Sequence, residues 1–296
     1  MSDESIIFVT LFDHNYAIKG VTMVHSFLEY NPKSSVKILC LDIQTNIILN
    51  DLFQDDSRIE LFTLSDLDVT TINSILGNRT YQEFCWTLAS IFSNFVLLKF
   101  SNSVIYLDGD IYFFRDIEPI LREIKGSSIA ATPHRFSNHL KHLQVVGNFN
   151  VQFVYFKNNS IGYEVSTEWA KQCVTNCSID LENGVFGDQK YLDEWPNKYS
   201  SSFKSIDYIG AGLAPWNFDQ YKILKMSDDF TVDQIPIIFF HFHGLLLTKN
   251  GVEIIQPQIY SLFNKDIYKK YFDSLNLIRS HRFFQSKFPV KFEIPQ

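Results

Sequence analysis

The chain has 296 residues, 46% hydrophobic, 16% aromatic and 20% charged, with a formal charge of −7. That balance excludes disorder and fits one large globular domain, or a domain with an extension. Nucleic acid is excluded as a partner because the net acidic charge leaves no general basic face for phosphates. Apolar runs such as Phe95–Leu98 fall far short of the roughly 18 residues of a membrane span.

Met1–Ser5 is acidic and polar, unlike a secretory signal. Cys40, Cys85, Cys173 and Cys177 form no CxxC pair, and four thiols in so long a chain are not a disulfide framework. Reduced thiols and a cytoplasmic location are the expectation.

Ile6–Phe12 is a continuous apolar, β-branched and aromatic run, which predicts a strand buried on both faces. From Tyr16 to Tyr30, Ile18, Val21, Val24, Phe27 and Leu28 recur at helical spacing, and Asn31-Pro32 ends the helix. Val36–Leu41 predicts a second strand, Thr45–Phe53 a helix capped by Thr45 or Asn46, and Ile59–Leu64 a third strand. Such alternation with short connections predicts a mostly parallel α/β sheet flanked by helices. The pattern continues as a helix near Glu83–Lys99, strands at Val104–Leu107 and Ile111–Phe114, and a helix at Ile117–Ile124. Strands at Ser128–Thr132 and Gln152–Phe156 and an amphipathic helix at Ser160–Cys173 follow.

Residues 1–245 are expected to form one α/β domain, and residues 246–296 a helical extension packed on it. From residue 245 on, eight Lys and Arg face four Asp and Glu, a net +4 that leaves −11 for the rest (−7 − 4). Tyr268, Tyr271, Phe272, Phe283, Phe284 and Phe288 are interleaved with these charges. A basic, aromatic tail can rest on an anionic membrane surface, or pack on the domain with its charges solvated.

Asp108-Gly109-Asp110 holds the strongest chemical signal, although D-x-D also occurs at Asp66–Asp68. Context separates the two. Asp108 and Asp110 stand at the carboxyl end of an apolar strand, where open α/β sheets bind ligands, whereas Asp66 and Asp68 read as a polar loop. Carboxylates two residues apart, with glycine permitting a tight bend, can share one divalent cation that keeps positions for phosphates. His241-Phe242-His243-Gly244 also follows an apolar strand. Either histidine could join the carboxylates, and mixed Asp and His ligation favours Mn²⁺ over Mg²⁺.

Six stretches in order now resemble the GT-A nucleotide-sugar glycosyltransferases, above all the family 8-like group of glycogenin and the lipopolysaccharide galactosyltransferases. Over residues 5–245 these are Phe8–Phe12 with Asn15-Tyr16, Tyr106–Ile111 ("YLD-x-D"), Gly147–Val154 ("FN-x-G"), Gly187-Asp188-Gln189 ("DQ"), Pro215-Trp216-Asn217 and His241–Gly244 ("HY-x-G"). The resemblance implies a nucleotide-diphosphate-sugar donor and a glycan or lipid-linked acceptor. Thr10, Asn15, Tyr16, Asp108, Gly109, Arg135, Asn150, Trp216, Asn217 and Gly244 would bind the donor. Asp108, Asp110 and His241, or His243 in its place, would hold the metal. Asp188 and Gln189 would lie beside the reacting carbon; the resemblance favours retention over inversion.

Two departures stand out. Gln152 occupies the position of the expected glycine, and Leu245–Leu247 replaces the segment that carries a diphosphate-binding lysine, for which Lys249 is a substitute. A sugar-1-phosphate nucleotidyltransferase is disfavoured because no glycine-rich loop follows the first strand. A non-catalytic nucleotide-sugar-binding scaffold is the remaining alternative.

Overall fold

The computed structural model describes residues 5–181, 184–226, 229–255 and 264–294. The chain opens with β1 (Ile6–Phe12), α1 (Ala17–Tyr30), β2 (Ser35–Cys40), α2 (Ile43–Phe53) and β3 (Ile59–Thr63). Next come α3 (Val69–Leu76), α4 (Tyr81–Phe100), β4 (Ser103–Leu107), β5 (Ile111–Phe113), α5 (Glu118–Ile124), β6 (Ile129–Pro133) and β7 (Phe149–Phe156). They are followed by α6 (Ser160–Thr175), α7 (Trp195–Lys198) and β8 (Phe203–Ser205).

Seven strands form the central sheet in the order β3-β2-β1-β4-β7-β6-β8. All neighbours are parallel except those of β7, which runs against both β4 and β6. One face carries Ile7, Val9 and Leu11 against Phe92 of α4 and Trp169 of α6. The other carries Phe8 and Phe12 in one apolar cluster with Phe27 of α1.

Local signals set most boundaries. Thr80 and Glu83 form a reciprocal capping box at the start of α4. The cap of α2 is Asp42, whose carboxylate accepts from the Thr45 amide, not Thr45 or Asn46 as expected. Helix α3 escapes the periodicity because it is short, yet its signal is present: Asp68 accepts from the amides of Thr70 and Thr71. Asp66 likewise accepts from the Thr63 amide, so this second D-x-D is spent on capping.

Beyond the sheet lie β9 (Ile223–Met226), β10 (Asp229–Val232), β11 (Ile235–Pro236) and β12 (Phe239–His241). Strand β12 pairs antiparallel with β5, placing His241 opposite Ile111. The expectation of a wholly helical extension is corrected here: β13 (Leu245–Thr248) and β14 (Gly251–Ile254) form a hairpin first. Helices α8 (Lys265–Arg279) and α9 (Arg282–Gln285) follow. The aromatic residues do not face outward either. Tyr268, Tyr271, Phe272, Phe284 and Phe288 are buried, and Tyr271 stacks on Phe242 at 3.9 Å between ring centroids. A membrane contact through those rings would require unpacking the core.

Phe239 is fully buried, between Phe113 at 5.5 Å and Phe153 at 6.0 Å. Phe239→Ala is expected to lower unfolding stability in urea by about 3–5 kcal/mol. Ile47→Ala, on the exposed side of α2, should change it by less than about 0.5 kcal/mol.

Candidate active site

The Asp108-Gly109-Asp110 bend joins β4 to β5 at the carboxyl end of the parallel strands, where ligands bind in such sheets. Two backbone hydrogen bonds fix it: the Asp108 amide donates to the Gln152 carbonyl (3.1 Å) and the Phe242 amide to the Asp110 carbonyl (2.9 Å). The β5–β12 pairing brings His241 alongside. Its Nε2 lies 2.9 Å from Asp110 Oδ1 and 3.9 Å from Asp108 Oδ2. Ligand atoms of Asp108, Asp110 and His241 all fall within 4.8 Å of one another, and His243 is outside this group.

Asp110 and His241 are buried, while Asp108 is more open. Burial alone would raise the Asp110 pKa, but the His241 imidazole and the Lys19 ammonium hold it well below the usual range. For His241, burial pulls the pKa down, yet the Asp110 and Asp108 charges win and leave it raised. Burial lifts Asp108 to about 6, opposed by His241 and aided by Asp110. One carboxylate is thus strongly ionised and the other is poised. Two carboxylate oxygens and one imidazole nitrogen are a donor set that fits Mn²⁺.

Tyr16, at the start of α1, donates its hydroxyl to Asp110 Oδ2. Lys19, one turn further on, is buried; its Nζ donates to the Leu245 carbonyl (2.6 Å) and lies 4.0 Å from Asp110 Oδ2. Sequence reading overlooked Lys19, whose signal was a lysine set among Ile18 and Val21 on an apolar stripe. Gly109 faces the Tyr16 and Phe12 rings, and a Cβ there would meet them at ordinary contact distance. Asn15 bonds Asp13 through Nδ2 and accepts at Oδ1 from Lys287 (2.7 Å). Asp13, His14 and Asp42 form a second cluster of potential ligands. Asp42 is already occupied as the α2 cap, and Asp13 accepts from the Asn15 and Tyr16 amides.

Asn150, Asp188 and Gln189 come from β7 and the turn before α7. The Gln189 amide is held at both ends: Oε1 accepts from Asn150 Nδ2 (3.3 Å) and Nε2 donates to the Val146 carbonyl (3.0 Å). Gly187 adopts φ +54°, and an added Cβ would meet the Trp86 ring at 3.1 Å, so glycine is required for the turn that presents Asp188. The Asp188 carbonyl accepts from Trp169 Nε1 (2.8 Å). Its carboxyl is buried and, with Cys177 and Asp108 adding to the effect, its pKa is pushed well above the ordinary value.

The other residues expected at the donor make contacts within the protein. Arg135 spends its guanidinium on the Tyr208 and Ala211 carbonyls. Trp216 is buried edge-on to His241 at 5.2 Å, its Nε1 donating to the His134 carbonyl, so its ring is not free to stack on a sugar. Asn217 donates to the His134 and Gly212 carbonyls. Thr10 lies fully buried in β1, and its hydroxyl has no hydrogen-bond partner among the described residues. Gly244 takes φ +81° at the turn between β12 and β13. Lys249 sits exposed at the tip of the β13–β14 hairpin.

This sheet, with paired carboxylates and a histidine at its carboxyl edge, is the GT-A glycosyltransferase fold. The galactosyltransferase LgtC, solved with donor and acceptor sugar analogs, superposes with a TM-score of 0.56 at 11% identity, covering 93% of this chain and 97% of its own. The bifunctional glycosyltransferase WbbM gives 0.55 at 14% identity over 96% of this chain and 51% of its own, so the chain spans about half of WbbM. The uncharacterized protein YfnD of Bacillus subtilis (strain 168) is 30% identical over 246 residues, 81% of this chain and 78% of YfnD. Its counterpart YfnF, from the same organism, is 26% identical over 247 residues, 80% of each chain. The pattern of the nucleotide-diphospho-sugar transferases matches residues 38–235, and the chain belongs to that family. It is a nucleotide-sugar glycosyltransferase.

A buried acid with a raised pKa stabilises the fold below its unfolded value, near 4, and loses that contribution as pH rises towards its folded value. In metal-free protein at pH 7, Asp188→Asn should therefore be more stable than wild type, by on the order of 1 kcal/mol. The advantage should shrink towards pH 4. Urea unfolding at the two pH values checks it, and equal stability at pH 7 would contradict it.

Proposed function

We propose that the enzyme transfers a sugar from a nucleotide-diphosphate-sugar to a glycan or lipid-linked glycan acceptor, with a divalent cation and with retention of configuration. The observation that carries this reading is the convergence of Asp108, Asp110 and His241 within 4.8 Å at the carboxyl edge of the sheet. These three residues would hold Mn²⁺ or Mg²⁺, which supplies charge neutralisation at the diphosphate leaving group. Asp13, Asp42, Asp108 and Asp110 give this edge a negative field that would repel a nucleotide diphosphate by itself.

Residues of the chain do the remaining work. Asn15 and Tyr16 open the nucleotide end, and Tyr16 and Lys19 hold Asp110 ionised. Burial raises the Asp188 pKa, which would make its carboxylate a stronger base than an exposed one, so the preference for retention rests on Gln189 and on the resemblance rather than on Asp188. The Gln189 amide oxygen is neutral and fixed in place, which suits it to stabilising positive charge on the sugar rather than removing a proton. An active-site glutamine changed to glutamate has been studied in LgtC, and we assign Gln189 a comparable position. Arg135, Trp216 and Asn217 are placed as supports of the site rather than donor ligands.

We place the enzyme in the cytoplasm, in keeping with its four unpaired cysteines. Among the described residues no helix is long and apolar enough to cross a membrane. Contact with the inner face of a membrane would rest on the exposed lysines of the extension. Co-sedimentation with anionic vesicles, lost at high salt, is the expected result if it occurs; no sedimentation at low salt removes it.

A panel of nucleotide-sugars with Mn²⁺, scored by nucleotide release, tests the main reading. Asp108→Ala should lower turnover by about 10²-fold or more, and chelation should abolish turnover until Mn²⁺ is restored. Undiminished turnover in Asp108→Ala would remove the metal assignment. Nucleotide binding with no release from any donor would favour a scaffold.

A further inference from the structure

We propose that Gln152 is a positioning residue that fixes the tautomer of His241 so that Nε2 is free to bind the cation. This inference rests on the metal reading above. The resemblance of the strand to its family leads one to expect glycine at this position, which has no side chain. In this chain the glutamine is fully buried beneath the carboxylate–histidine cluster.

Its orientation follows from its neighbours. Strand β7 bulges against β6 between Asn150, opposite Thr132, and Val154, opposite Ala131, so residues 151–153 leave the β6 ladder while Phe153 stays paired with Leu107 of β4. Bulges re-aim side chains in this way. The Gln152 amide N–H is not lost, because it donates to Asn150 Oδ1 (3.0 Å). The side chain then bridges two partners: Nε2 donates to Thr132 Oγ1 (3.2 Å), and Oε1 lies 3.0 Å from His241 Nδ1. Thr132 Oγ1 turns its own proton towards the Asn150 carbonyl at 3.5 Å, leaving its lone pairs for the Gln152 NH₂.

With the amide so oriented, only its oxygen faces His241, and an oxygen can only accept. Nδ1 must therefore carry a proton, and a neutral imidazole protonated at Nδ1 offers its lone pair at Nε2, the atom beside Asp110 and Asp108. A flipped amide would donate to Nδ1, put the proton on Nε2 and block ligation. Metal-binding histidines generally have such a partner behind them, and its loss costs roughly 10- to 100-fold in metal affinity. Gly212 completes the arrangement: it takes φ +78°, and a Cβ there would come within 2.9 Å of Gln152 Nε2.

The test is Mn²⁺ affinity, measured without donor or turnover, by counting free Mn²⁺ with electron paramagnetic resonance. Gln152→Met keeps the volume and removes the acceptor; it should weaken Mn²⁺ binding by about 10- to 100-fold. Gln152→Glu keeps an acceptor facing Nδ1 and should return the affinity to the wild-type range or better. Wild-type affinity in the Met variant, or a Glu variant no tighter than Met, overturns the proposal. Circular dichroism checks that both variants fold. Should either fail, nitrogen-15 NMR of the histidines in Mg²⁺-loaded wild type decides: a proton on His241 Nδ1 with bare Nε2 supports the assignment, and the reverse overturns it. Wild type that binds no divalent cation at all would bring down the metal reading itself.

Discussion

The pairing of His241 with Asp110 is the contact on which the site depends. Asp110 lies at the bend after β4 and His241 at the end of β12, 131 positions further along the chain. They meet because β12 runs antiparallel to β5, with His241 opposite Ile111. The aromatic packing of Phe239 against Phe113 and Phe153 holds that register. A one-residue slip would reverse the side chains of β12 and turn the imidazole away from the carboxylates. The apolar core of this edge thus determines the electrostatics of the site.

Around that pair the protein tolerates charges that burial would ordinarily penalise. Asp110 keeps its charge because His241, Lys19 and the Tyr16 hydroxyl are all close. Asp188 has no cationic partner among its principal influences; Cys177 and Asp108 instead favour its neutral form. Two acids at one edge of a sheet therefore differ in ionisation, a separation typical of sites that perform chemistry.

The extension is tied to the same edge. Tyr271 of α8 stacks on Phe242, the residue after His241, and Lys287 reaches the His14 carbonyl and Asn15 Oδ1. Its +4 charge is largely displayed at the surface, while Tyr268, Tyr271, Phe272, Phe284 and Phe288 complete the core. Charge and aromatic content, which together suggested a membrane-facing tail, thus belong to opposite sides of the same helices.

Periodicity and strand-end context in the sequence determined the α/β class and most strands and helices, and placed Asp108, Asp110 and the two histidines at strand ends. Those features are local: apolar alternation, an Asp-Gly-Asp bend and a capping box each act within a few residues. The tertiary structure decided what depends on distant pairing: the antiparallel run of β7, the approach of His241 to the two carboxylates, and the approach of Lys19 to Asp110. It also set the Arg135 guanidinium on backbone carbonyls and the Trp216 ring edge-on to His241, and it revealed Gln152, in sequence only a departure from a glycine, as the hydrogen-bond partner of His241. A residue type states which bonds a side chain can make; only the packed chain determines which partners lie within about 3 Å to make them.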